Sequence, residues 1–172
     1  MIIRLANAAD AAAVAGIYGH HVLHGLGTFE ETPPTAEDIA GRMAPVLAHG
    51  LPYLVAELDD RVAGFAYAAP FRPRAAYRYT VEDSVYVAPD AVGRGVGKAL
   101  VSRLIADCEA LGLRQMIAVI GDSANAGSIA VHRSLGFQPC GTLPAVGFKA
   151  GKWLDVVLMH LPLNGGDESP PA

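Results

Sequence analysis

The chain of 172 residues is poor in cysteine, in basic charge and in long apolar runs, and each shortage removes a class of function. Only Cys108 and Cys140 are present, far apart and without metal-ligand spacing. They read as reduced thiols of a cytoplasmic protein. Lysine and arginine number 13 against 17 aspartates and glutamates, a net charge of −4 with no basic tract to offset it. Nucleic acid is therefore not an expected partner. Although 52% of residues are hydrophobic, no run reaches the roughly 18 apolar residues of a membrane span, so no membrane partner is expected. The opening Met1 to Leu5 has no basic segment followed by an apolar core, and no secretory leader is expected. His20, His21 and His24 invite a metal reading, but no carboxylate or cysteine stands nearby to complete a site, so no metal is expected.

What is present suits one domain with a substantial core, residues 1–163, followed by a polar, Gly/Pro-rich tail, 164–172, expected to be disordered. Ile2 to Leu5 reads as a strand, and Asn7 as the cap of an alanine-rich helix ending at Gly25. Thr35 to Asp38 forms a capping box for a second helix, which Pro45 is expected to break or kink. Tyr53–Leu58 and Val62–Ala69 read as a hairpin turning at Asp59-Asp60. Val81–Val87 is a strand, and residues 95–111 a helix stopped at Gly112. The apolar run Met116–Ile120 suits a strand buried on both faces. Residues 125–135 form a short helix, and two further strands end near Leu163. The pattern predicts an α/β fold whose central, mostly antiparallel, splayed sheet has about seven strands, with helices on both faces.

The densest information lies between Val85 and Leu100, where a strand passes through Gly93, Gly95 and Gly97 into a helix. Glycines at alternate positions turn backbone N–H groups toward one point, and the helix adds its positive end, so the loop suits a phosphate or pyrophosphate. A P-loop is excluded: only three residues separate Gly93 from Gly97, and Ala99 follows Lys98 where a hydroxyl is needed. The dinucleotide pattern also fails, because Lys98 takes the place of its third glycine. What remains is the G-x-G loop of an acyl-coenzyme A site, or a glycine-rich turn without a ligand.

This stretch resembles motif A of the GNAT superfamily of N-acetyltransferases, Q/R-x-x-G-x-G/A, with Val92 where that family usually has Gln or Arg. The resemblance implies acetyl-CoA as cosubstrate. Its pyrophosphate would be cradled by the backbone of Gly93, Arg94, Gly95, Val96, Gly97 and Lys98, with charge from Arg94 and Lys98. The backbone at Val85 and Val87 would pair with the pantetheine amides if that strand splays from its neighbour. Asn125 and His132 are seven residues apart, with Ser128 between, and so share a helix face. In GNAT enzymes the matching asparagine holds the pantetheine arm, and a tyrosine near the sulfur stands where this chain has His132. A histidine there can pass a proton, or simply pack. Glu82, at the start of the strand, can face the amine as general base, or form a salt bridge with Arg74 or Arg78. Asp83 points to the opposite face of a regular strand and is the poorer candidate.

A narrower resemblance is to the phosphinothricin and methionine sulfoximine/sulfone N-acetyltransferases. It rests on Tyr77–Val87, Ala118–Gly121, His132–Phe137 and above all Gly147-Phe-Lys-Ala-Gly-Lys-Trp-Leu-Asp155. It implies Glu82 as base, His132 near the sulfur, and Phe29, Arg74 and Tyr77 at the pocket of a small-molecule amine. It also implies a homodimer with that pocket near the interface. Arg74 can grip a carboxylate, phosphinate or sulfone oxygen in a forked way. Other acceptors, a protein N-terminus among them, and a non-catalytic acyl-CoA-binding module are the rival readings.

Overall fold

The computed structural model describes residues 1–171. Asn7 caps a single 3-10 turn, Ala8–Asp10, which runs straight into α1 (Ala11–His24). Thr35 and Asp38 form the expected capping box at the start of α2 (Ala36–Ala48), each bonding the other's backbone N–H. Pro45 does not end this helix, which continues through it to Ala48. Lying in the last turn, the proline gives up one ladder bond near an end that frays in any case.

The strands are β1 (Ile2–Leu5), β2 (Tyr53–Leu58), β3 (Arg61–Pro70), β4 (Thr80–Val87), β5 (Gln115–Gly121), β6 (Gln138–Lys149) and β7 (Lys152–Pro162). They form one sheet in the order β1-β2-β3-β4-β5-β7-β6, in which only β4 and β5 are parallel. Asp59 and Asp60 both have positive φ, 53° and 58°, the geometry that lets a two-residue turn follow the twist of β2 and β3. The chain crosses from β4 to β5 through α3 (Val96–Ala110), and from β5 to β6 through α4 (Ala126–Ser134).

Side-chain alternation assigns the two faces. Phe65 stacks near Tyr86 and meets Tyr18 of α1 edge-on, so these rings lie under α1 and α2. The neighbouring Gly64 faces α3 so closely that a Cβ would stand 2.9 Å from Val96. Val14, Leu54, Phe65, Leu100, Leu104, Met116 and Met159 are fully buried between sheet and helices. The segment expected to be a disordered tail folds back as far as Ser169. Arg114 donates to the carbonyls of Gly166 and Ser169, and the Asn164 amide donates to those of Glu109 and Leu113. Polar residues here satisfy carbonyls near the end of α3, a use that composition does not reveal.

Candidate active site

β4 pairs with β3 along Val81–Val87 but with β5 only from Thr80 to Asp83. Beyond Asp83 and Ala118 the two strands part, as expected of a splayed sheet. The fork opens into a groove of about 480 Å³ lined by Asp83 to Val87, Ala118 to Gly121, Gly25 to Gly27 of the loop after α1, and one wall of α4. Backbone N–H and C=O groups on the facing edges of Ser84–Val87 and Val119–Gly121 have no strand partner. A slim chain carrying amides can bond to such edges as an added strand would. Val85 and Val87 line this groove. At its outer end His21, which burial pushes below the usual histidine value, donates from Nε2 to the Val87 carbonyl at 2.8 Å.

The glycine loop stands at the same end, with Gly97 in the lining. Gly95 is the N-cap of α3 in left-handed conformation, φ 81°, and offers no side-chain cap. The first N–H groups of α3, from Val96, Gly97 and Lys98, are thus free to meet an anion. The Val96 side chain is buried, so only its backbone can serve a ligand. Arg94 does not reach the groove: its Nη1 is ion-paired with Asp59 at 2.8 Å, across the β2–β3 turn. Val92 lies 66% exposed on the groove rim and supplies no polar group.

Asn125, Ser128 and His132 share the groove wall as their spacing predicts. Asn125 proves to be the N-cap of α4, accepting from the Ser128 N–H at 3.2 Å, which leaves its amide nitrogen beside Gly27. His132 is more deeply held than its neighbours on that wall. It is 2% exposed, and both ring nitrogens are engaged. Nδ1 lies 2.8 Å from the Ser128 carbonyl, which can only accept, and Nε2 lies 2.9 Å from Asp83 Oδ2. Burial alone would lower its pKa, but the hydrogen bond and charge of Asp83, with the Ser128 carbonyl, outweigh that and hold it raised. Both ring nitrogens are thus committed to oxygen partners. No N–H is left over for a departing sulfur.

Asp83 is the residue that sequence reasoning set aside. It does face away from Glu82, as alternation requires, but that face is the one that α4 covers. It is 5% exposed, and its Oδ1 has no partner among the described residues. Glu82 lies on the α1/α2 face, opposite Ala69 and partly buried, without a hydrogen bond or ion pair among the described residues. Burial pushes its carboxyl up, the nearby Asp83 charge adds to this, and the Arg72 cation opposes it. The alternative, a salt bridge with Arg74 or Arg78, does not form among the described residues. On the same face lies a smaller cavity lined by Tyr18, Ile39, Arg42, Tyr53, Phe65 and Tyr67. Arg42 reaches Glu30 at 2.7 Å, and the Tyr18 hydroxyl bridges Thr28 and Glu30. Sequence reading missed this network, whose members carry no spacing signal.

Phe29 packs against two glycines, Gly121 and Gly147. Arg74 and Tyr77 stand on an exposed 3-10 turn between β3 and β4, where Tyr77 meets Phe71 edge-on. The Arg74 side chain has no hydrogen-bond or ion-pair partner among the described residues, so its guanidinium is free, but neither residue lines the groove. Among the described residues no three His, Cys, Asp or Glu side chains converge on a metal position, and no helix is long and apolar enough to cross a membrane.

Residues 22–137 match the Acetyltransferase (GNAT) family. The chain is 52% identical to a phosphinothricin N-acetyltransferase of Alcaligenes faecalis over 98% of its own length and 86% of that protein's. It is 43% identical, over 95% of each chain, to an L-methionine sulfoximine/L-methionine sulfone acetyltransferase of Salmonella typhimurium. The fold superposes on the crystal structure of a GNAT superfamily phosphinothricin acetyltransferase from Sinorhizobium meliloti in complex with acetyl-CoA. That match has a TM-score of 0.96 at 48% identity and covers 99% of this chain and 92% of that one.

Proposed function

Since the chain belongs to the acetyltransferase (GNAT) family and is an acetyl-CoA-dependent N-acetyltransferase, we propose that its acceptor is a small amino acid analogue. Phosphinothricin, methionine sulfoximine and methionine sulfone are the compounds meant. The observation that carries this reading is the fork between β4 and β5, with an unpaired carboxylate, Glu82, on the strand that forms one of its arms. Acetyl-CoA lies with its pantetheine arm in the fork, bonded to the edge of Val85 and Val87 and to Asn125. Its pyrophosphate rests on the N–H groups from Gly93 to Lys98. The acceptor amine attacks the thioester carbonyl carbon, its proton passes to Glu82 directly or through water, and the C–S bond breaks with coenzyme A leaving as its thiolate, which takes up a proton from water. No acyl-enzyme forms. Ser128 and His132 shape the wall beside the sulfur, and His132 acts through its fixed dipole and charge rather than as a free acid.

Arg74 holds the acceptor's anionic head, with Phe29 and Tyr77 as apolar walls. Because Arg74 and Tyr77 lie on an exposed loop away from the groove, this pocket is completed in a homodimer. The strand pair β6–β7 supports that assembly, since Leu143, Val146, Phe148 and Trp153 stand exposed on it and Trp153 meets Phe148 edge-on. Sedimentation is expected to give twice the 17.9 kDa chain mass, and a monomer at micromolar concentration would remove this part of the reading. The free thiols Cys108 and Cys140 suit the cytoplasm.

Thiol release measured over a panel of amino acids, peptides and polyamines tests the assignment. Methionine sulfone, methionine sulfoximine or phosphinothricin is expected to be used, and peptides and polyamines hardly at all. Arg74→Ala is expected to raise the KM for these acceptors by roughly 10- to 150-fold, the equivalent of a lost charged hydrogen bond of about 1.5–3 kcal/mol. The acetyl-CoA KM moves far less. Efficient acetylation of a peptide N-terminus with none of these amino acids used would overturn the substrate class and leave the family standing.

A further inference from the structure

The Gly147 to Asp155 signature is not required by the fold, and the structure gives its residues a common task. β6 loses register with β7 between Leu143 and Gly147. Within that irregularity Ala145 has φ 53°, and its N–H is held at 2.9 Å by Asp155 Oδ1, while Asp155 Oδ2 accepts from Ser123. The strands pair again at Gly147 opposite Leu154, so that Gly147 and Lys149 share one face of the edge strand and Phe148 takes the other. Lys149 is 6% exposed. Its ammonium is spent on two backbone carbonyls of the loop after α1, Gly25 at 2.9 Å and Thr28 at 2.8 Å. Between those anchors and Tyr18, which holds Thr28 and Glu30 from the other side, the loop projects Phe29 onto bare backbone. A Cβ on Gly147 would lie 2.3 Å from the ring, and one on Gly121 3.0 Å from the ring and 2.9 Å from the Gly27 carbonyl.

We propose that Gly147 and Lys149 are positioning residues that fix the depth at which Phe29 sits, and through it the choice of acceptor. This rests on the reading of Phe29 as an acceptor wall. The same loop lines the coenzyme groove with Gly25, Leu26 and Gly27, so Phe29 stands two residues along the chain from the groove wall. A methyl group at Gly147 cannot coexist with the ring where it lies, and it drives the ring outward into the acceptor's space. A lysine used for two carbonyls is hard to replace: a shorter or uncharged side chain leaves those groups buried without donors and frees the loop.

The test uses methionine sulfone as acceptor and follows both substrates. Gly147→Ala is expected to raise the methionine sulfone KM by on the order of 10- to 100-fold, the scale on which a displacement of about 1 Å is felt, while the acetyl-CoA KM stays near the wild-type value. Removing the ring should remove the conflict, so Phe29→Ala and the double variant Phe29→Ala/Gly147→Ala should share one KM. Lys149→Met is the second probe, expected to shift the acceptor KM in the same direction. An unchanged acceptor KM in Gly147→Ala, or equal rises for both substrates, overturns the proposal. If wild type uses no amino acid analogue, the functional reading falls separately. The melting temperatures of the same three Phe29 and Gly147 variants then judge the seat, and additive shifts overturn it.

Discussion

Glu82→Gln is expected to lower turnover by about 100- to 10,000-fold, the range spanned by a general base in amine transfer. Acetyl-CoA affinity should hardly move, because Glu82 does not line the groove. Glutamine keeps the shape and removes the basic lone pair, so the comparison isolates proton transfer from packing. The pH profile carries the sharper form of the expectation. Burial, with Asp83 adding and Arg72 opposing, raises the Glu82 carboxyl above its ordinary range. The basic form is therefore gained at a higher pH than for an exposed glutamate, and wild-type kcat rises through that displaced midpoint. In the variant the rise disappears. Wild-type turnover, or the same pH-dependent rise in Glu82→Gln, would return this residue to a structural role.

Asp83→Ala should cost more stability than any other single change at the site. It leaves the buried His132 without its partner, and breaking a buried pair in this way destabilises folded proteins by about 3–5 kcal/mol, or about 6–20 °C in melting temperature for a chain of this size. The pair also imposes a sign on the pH dependence. The folded-state pKa of His132 is raised, so the stability it contributes is complete below the unfolded histidine value of about 6.5. That contribution is lost as pH rises through the raised value. Thermal melts across this window should show wild type losing part of its advantage over Asp83→Ala on the alkaline side. A variant melting within about 1 °C of wild type would mean that the pair contributes nothing net, as some buried ion pairs do.

These two neighbours on β4 show what a sequence can and cannot disclose. Period-two alternation places Glu82 and Asp83 on opposite faces, and the structure keeps them there. Alternation does not say what covers each face, however. The partner of Asp83 arrives 49 residues later on α4, through a parallel crossover that no local period encodes. The glycine loop and the Asn125–Ser128–His132 face were legible because each is local in sequence, a turn between neighbouring elements and one face of a single short helix. The partners of His132 were not, because a helix face gives direction without revealing the two oxygens waiting there. The partner of Arg94 was hidden for a similar reason: a cation beside the glycines looks unpaired until the turn at Asp59 is folded against it. Lys149 and Gly147 were visible as a motif, but their task depends on a loop more than 115 residues away in sequence.

The fork between β4 and β5 also bears on how the sheet avoids the addition of stray strands. Unpaired strand edges are templates on which another polypeptide can add, and sheets ordinarily cover, charge or shorten them. Here the exposed edges lie inside the sheet, hemmed by the Gly25–Gly27 turn on one side and α4 on the other. An incoming strand carries side chains above and below its backbone and needs several residues in extended register, whereas the opening spans only four residues of β4 beyond its pairing with β5. A pantetheine arm has the amides but, along that stretch, almost no branches. The narrowness of the opening is thus also a guard against strand addition: the sheet can stay open at its centre because few chains are thin enough to close it.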